Sequence, residues 1–211
     1  MISIDSISTS ARKISSPYTW SHTVGVNASL IVVTTAIHSG GSGRNVSSCT
    51  CGSLSLVQGA TDNQSQVEIW FGVNPPSGAQ TITVNWTQNP GEGACGAATF
   101  FGVDTANPWH ANVIGNTSGL PTLTVDCLAG GVVVDALYSQ TSSAVAVGQA
   151  GQNSIHNIAL TGNNTKSASS YLIPTGSGST TLSWTVSDSH GYIGASFNPA
   201  ISGGAFLLNM L

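Results

Sequence analysis

Apolar residues in this chain recur at every second position in short runs, and turn formers punctuate the runs. Tyr18-Thr-Trp-Ser-His-Thr-Val24 alternates in this way. Side chains of an extended strand point to opposite faces in turn, so the pattern marks a half-buried strand. Ser29-Leu-Ile-Val-Val-Thr-Thr-Ala36 reads as a strand covered on both faces. The same reading places strands at 53–58, 66–73, 80–86, 97–103, 122–127, 131–137, 144–148, 154–160, 168–173, 180–186, 191–197 and 205–210. Connections such as Asn74-Pro-Pro-Ser-Gly78 and Asn89-Pro-Gly-Glu-Gly93 are rich in turn residues. No stretch of ten or more residues holds a helical period. Short strands at this spacing predict an all-β fold: a single-domain, two-sheet antiparallel sandwich over 1–211, jelly-roll-like, with 1–16 as an N-terminal arm.

Composition narrows the functions. Only 12 of the 211 residues are Asp, Glu, Lys or Arg, about 6 % against the roughly 25 % of an ordinary domain. Four basic against eight acidic residues leave no electrostatic footprint for nucleic acid or an anionic membrane. Ser, Thr, Gly and Asn make up 93 residues, yet 40 % of the chain is apolar, which argues against disorder. The polar start Met1-Ile-Ser-Ile-Asp lacks the basic and apolar regions of a secretory leader, and none is expected.

Few groups here could do chemistry. Glu68 alternates with apolar residues, and Asp135 interrupts Gly131-Val-Val-Val-Asp-Ala-Leu137. Paired across a sheet they would imitate a glycosidase dyad. A solvent-facing carboxylate, or one satisfying a nearby loop, is the simpler expectation for Asp135. The five histidines never stand at metal-binding spacing, and no nucleophile elbow or phosphate loop occurs. No catalytic residue, cofactor or metal is therefore expected. Cys49, Cys51, Cys95 and Cys127 are candidates for one or two disulfides, within or between subunits, or for buried free thiols. An extended Cys49-Thr-Cys51 would put both sulfurs on one face. Most tryptophans sit in strand patterns and read as core. Trp109 with His110, in Asn107-Pro-Trp-His-Ala111, is the candidate ligand or partner contact.

Several stretches carry a resemblance. These are Val46-Ser-Ser-Cys-Thr-Cys-Gly-Ser-Leu-Ser-Leu-Val-Gln-Gly59, Val67-Glu-Ile-Trp-Phe-Gly-Val-Asn-Pro-Pro-Ser-Gly78, Thr81-Ile-Thr-Val-Asn-Trp86 and Ala97-Ala-Thr-Phe-Phe-Gly-Val-Asp-Thr-Ala-Asn-Pro108. Together with Gly131–Leu137 and Gly194-Ala-Ser-Phe197 they resemble a β-sandwich family of bacteriophage structural proteins, also found in bacterial surface proteins. Cys49 and Cys51 depart from that pattern. The resemblance implies a non-enzymatic virion component: a capsid decoration protein made in the host cytoplasm, contacting the major capsid protein or another virion protein, and homo-oligomeric with a trimer favoured. Its alternative is a carbohydrate-binding tail-fibre module or adhesin, with a glycan held by Trp109, Tyr171 or Tyr192.

Overall fold

The computed structural model describes residues 1–38, 44–62, 66–141, 143–160, 164–186 and 188–200. Among the described residues the chain forms sixteen strands and no helix. The first nine are β1 (Ser3–Thr9), β2 (Tyr18–Val24), β3 (Leu30–His38), β4 (Val46–Cys51), β5 (Leu54–Ser55), β6 (Val57–Thr61), β7 (Val67–Val73), β8 (Gly78–Trp86) and β9 (Glu92–Phe101). The rest are β10 (Trp109–Ile114), β11 (Thr122–Cys127), β12 (Val132–Ser139), β13 (Asn153–Leu160), β14 (Thr165–Leu172), β15 (Gly178–Ser183) and β16 (His190–Phe197).

They build two large antiparallel sheets, β1-β9-β3-β7-β6 and β10-β16-β12-β14-β13, and two small ones, β2-β8-β4-β5 and β11-β15. The order through the molecule is small, large, large, small. Strand periodicity produces this stacking directly. Leu30 and Val32 of β3 point between the large sheets, where they meet Val132 and Val134 of β12. Ile31 and Val33 point the other way, into a second core with Ile82 and Val84 of β8. A third core lies between the second large sheet and β11-β15, around Leu123, Leu182, Trp184 and Tyr192. Central strands are thus buried on both faces, which is why β3, β9, β12 and β16 read as nearly unbroken apolar or small-residue runs.

The pairing repeats. Replacing β1, β9, β3, β7 and β6 by β10, β16, β12, β14 and β13 converts one large sheet into the other, and β2-β8 corresponds to β11-β15. Registers agree as well: Phe100 faces Leu30 as Phe197 faces Val132. Even the irregularities recur. The edge strands β1 and β10 each carry a register shift, around Asp5 and His110, and β6 and β13 carry theirs around Gly59 and Ile155. Ser77-Gly78 and Ser177-Gly178 open the matching strands β8 and β15, with φ of +88° and +113° at the glycines, a conformation glycine adopts readily. Among the described residues β4 and β5 have no strand counterpart; a bridge between Val147 and Trp184 stands where β4 meets β8.

Three local expectations are corrected. Residues 3–9 are not a free arm: β1 pairs with β9 of its own sheet, because Ile2 is buried in the central core and Ile4 packs against it. Residues 144–148 contribute only the bridge at Val147. Trp109 and His110 open a strand where none is expected. The expected strand at 205–210 lies outside the described residues.

Candidate functional site

Trp109 opens β10, and its indole stacks on Phe71 with centroids 5.3 Å apart and an interplanar angle of 22°. Phe197 meets it edge-on at 5.5 Å. The ring lies over Gly59, where an added Cβ would approach within 2.4 Å of it. Trp109 therefore fills a gap between the two large sheets and is no open platform for a sugar. Its partner Gly59 sits at a bulge, and glycine there admits the close approach. His110 is the shifted residue of β10 and stands nearer the surface, with Nε2 3.5 Å from the exposed Asp126 carboxylate. Tyr171 and Tyr192 are buried, so the three aromatics expected to line a glycan groove do not form one.

All four cysteines are buried free thiols. Cys49, Cys51 and Cys95 share the outer core of the first half, while Cys127 lies in that of the second. Cys49 and Cys51 do face the same way, as an extended segment requires. Burial pushes the Cys51 thiol up to about 11 and raises Cys49 and Cys95 further. Thiols held protonated are poor nucleophiles.

The two acidic candidates are fully buried, which corrects the expectation of a solvent-facing Asp135. Asp135 Oδ1 accepts from Ser170 N at 2.6 Å and Ser170 Oγ at 2.7 Å. Its Oδ2 accepts from Tyr192 Oη at 2.8 Å, Trp184 Nε1 at 2.9 Å and Gln152 Nε2 at 3.3 Å. Burial still lifts its carboxyl to about 6, the donors offsetting only part of the desolvation. Glu68 accepts from Val46 N, Gln58 Nε2 and Trp70 Nε1 at 2.7–2.9 Å, and burial raises it too. Glu68 faces the outer core of the first half and Asp135 that of the second. Two sheets separate them, so they share no cleft and form no dyad.

Two histidine clusters escape a reading of the sequence. His156 of β13 is buried between Ser167 and Ser169 of β14. Thr34 Oγ1 donates to Ser169 Oγ at 2.8 Å, and Ser167 Oγ donates to the Ala94 carbonyl at 3.0 Å. Each hydroxyl has one proton to give. Ser167 therefore accepts from His156 Nε2–H, and Ser169 donates to the bare Nδ1. One directed chain from Thr34 to Ala94 fixes a neutral imidazole and ties both large sheets together. Burial depresses its pKa to about 3. In the second cluster His22 Nδ1 lies 2.7 Å from Ser8 Oγ, and its Nε2 lies near Ser6 and Thr99. Thr99 in turn donates to Asp5 Oδ2 at 2.7 Å. Serines at i and i+2 on one strand are the available signal for both, but in so Ser-rich a chain such pairs are common.

Among the described residues no three His, Cys, Asp or Glu side chains gather as metal ligands. Both outermost faces are instead hydroxyl ladders. Thr19 faces Thr83 and Ser21 faces Thr81 on the first; Thr122 faces Ser183 and Thr124 faces Thr181 on the second, the last pair 3.0 Å apart between hydroxyl oxygens. Compared with known proteins, the chain matches no family model, no curated sequence and no solved structure.

Proposed function

We propose that this protein is a non-enzymatic virion component, a decoration or cement protein that docks on the outside of a bacteriophage head as a homo-oligomer. The observation that carries the reading is where the polar chemistry lies. Glu68, Asp135, His22 and His156 are spent inside the layers on holding strands together, while the outer faces present mainly neutral hydroxyls, with Asp126 as a charged exception on the second. Such a surface binds with little dependence on salt, since it offers few charges to screen.

Strand order adds support. With β5 and β6 taken as one interrupted strand, β1-β9-β3-β7 and β2-β8-β4-β5 follow the order of a jelly roll, an architecture used by viral capsid and lectin domains. Fold alone assigns no function. Docking would cover joints between major capsid subunits and add buried area there. Light scattering on the purified protein should give a trimer or larger closed ring, and the protein should co-sediment saturably with heads of the phage that encodes it. A strict monomer that stays in the supernatant overturns the reading.

A further inference from the structure

One edge of β15 is only half covered. Trp184 N donates to the Pro121 carbonyl at 3.0 Å, so the even-numbered residues of this strand bond toward β11 and the odd-numbered ones point away from it. On that outer side Thr185 N donates to the Ala146 carbonyl at 2.9 Å, and Gly148 N to the Ser183 carbonyl at 2.8 Å. Gln152 Oε1 accepts from Ser183 N at 3.3 Å. The next two residues in line, Thr181 and Ser179, are exposed, and no group among the described residues bonds their backbone there.

The first half shows what such an edge takes. By register Cys49 corresponds to Val147, and Thr81 to Thr181. β4 runs on past Cys49, pairs Cys51 with Ile82 and donates Gly52 N to the Thr81 carbonyl at 2.9 Å. The second half leaves its edge earlier: after Gly148 the chain turns away, closed by Gln152 N on the Gln149 carbonyl at 3.3 Å. Where counterparts of Cys51 and Gly52 would lie, a groove of about 370 Å³ runs between Ser179 and Thr180 on one side and Ala150 and Gly151 on the other. Leu172 and Ile173 line its base, and Leu172 stands in place of Gly72, over which Leu54 and Leu56 lie in the first half. The lining has no ionisable side chain. Unlike the edge strands β1, β6, β10 and β13, β15 has no bulge to deter a further strand.

We propose that this groove binds an extended, uncharged segment of another protein, added to β15 antiparallel as β4 is added to β8. Main-chain bonds to Ser179 and Thr181 hold it. Residues of the segment that face Leu172 must be small, because that leucine takes up part of the depth. A groove walled on both sides admits a single strand, which favours a lone segment over the sheet edge of a second copy. The inference does not rest on the virion reading, and its failure would leave that reading standing.

Amide exchange on the full chain tests it, with a capped peptide copying residues 46–52 and carrying C49A and C51A as the probe. In the free protein the Ser179 and Thr181 amides should exchange at least tenfold faster than those of Thr180 and Leu182, which bond to β11. Millimolar peptide should slow the first pair at least tenfold and leave the second pair unchanged. T181P removes an outward donor without touching the β11 ladder, so it should abolish the slowing at Ser179 with an unchanged far-ultraviolet spectrum. On the parent protein, a peptide with C51K in place of C51A should lose the effect as well. Protection of both amides in dilute free protein would mean that the chain covers its own edge, and protection that grows with protein concentration would assign the edge to a second copy. Either result overturns the proposal, as does a peptide that slows neither amide, or one that acts equally well with C51K.

Discussion

The two halves share strand order, register and bulges, yet four matched positions of their outer cores differ sharply in character. Aligned by register, Val33 corresponds to Asp135, Trp70 to Ser170, Val84 to Trp184 and Cys95 to Tyr192. In the first half these four positions are apolar side chains packed together. In the second they form one buried hydrogen-bonded cluster around a carboxylate. Volumes are exchanged in the same manner between the large sheets. Trp109 over Gly59 corresponds to Ile4 and Ile155, and His156 against Gly96 corresponds to Ala60 and Ile193. A duplicated backbone thus tolerates large local changes when a gain at one position is matched by a loss at its neighbour.

The most damaging way to break this comparison is Asp135→Ala. Trp184, Tyr192 and Ser170 would lose their acceptor in a dry core, and Gln152 one of its two, at a cost of about 3–5 kcal/mol. The matched Val33→Ala should cost roughly 1–3 kcal/mol. Urea unfolding of both variants measures the contrast, and equal losses would mean that the polar cluster is no more demanding than the apolar one.

Gly59→Ala should cost about 1–3 kcal/mol through the clash with Trp109. Trp109→Leu should relieve part of that cost, so a double-mutant cycle should show coupling, whereas additive losses would contradict the plug.

Acid response separates two buried groups. His156 is depressed from 6.5 to about 3, so between those values the unfolded chain binds its proton and the native protein does not. Stability should therefore fall on acidification across that window, by about 1.4 kcal/mol per pH unit at full effect. Asp135, raised from 3.8 to about 6, acts oppositely: the native state holds its proton more tightly, and stability is regained as pH falls through that range. Urea midpoints at pH 7, 5 and 4 should decline less for His156→Gln than for the parent. An unchanged slope would mean that the imidazole is charged in the fold.

The smallest effect concerns the thiols. Ellman's reagent should find none of the four reactive in the native protein and all four in guanidinium, and light scattering should not change with reductant.

Much of the fold is legible in the sequence because burial writes itself into period-2 patterns: β2 and β11 match their expected bounds, and β3, β7 and β12 nearly so. β1 and β10 escape such a reading because edge strands bury one face only partly, leaving weak alternation around a bulge. The duplication itself is hidden by the compensating exchanges, which erase identity at matched core positions. Asp135 stands out in the sequence as a carboxylate needing a partner, but its donors come from positions 152, 170, 184 and 192, and no local spacing connects those. His156 is invisible for the same reason.

The pairing of β1 with β9 sets an order of events during synthesis. Ser3 finds Phe101 and Thr9 finds Gly96, so β1 has no strand to pair with until roughly ninety residues later. At about 5–20 residues per second, the nascent chain waits some 5–20 s with Ile2 and Ile4 uncovered. The same delay is repeated for β10 and β16. Each half can therefore complete its large sheet only once that late strand has emerged, and its last strand acts as the key that locks its first.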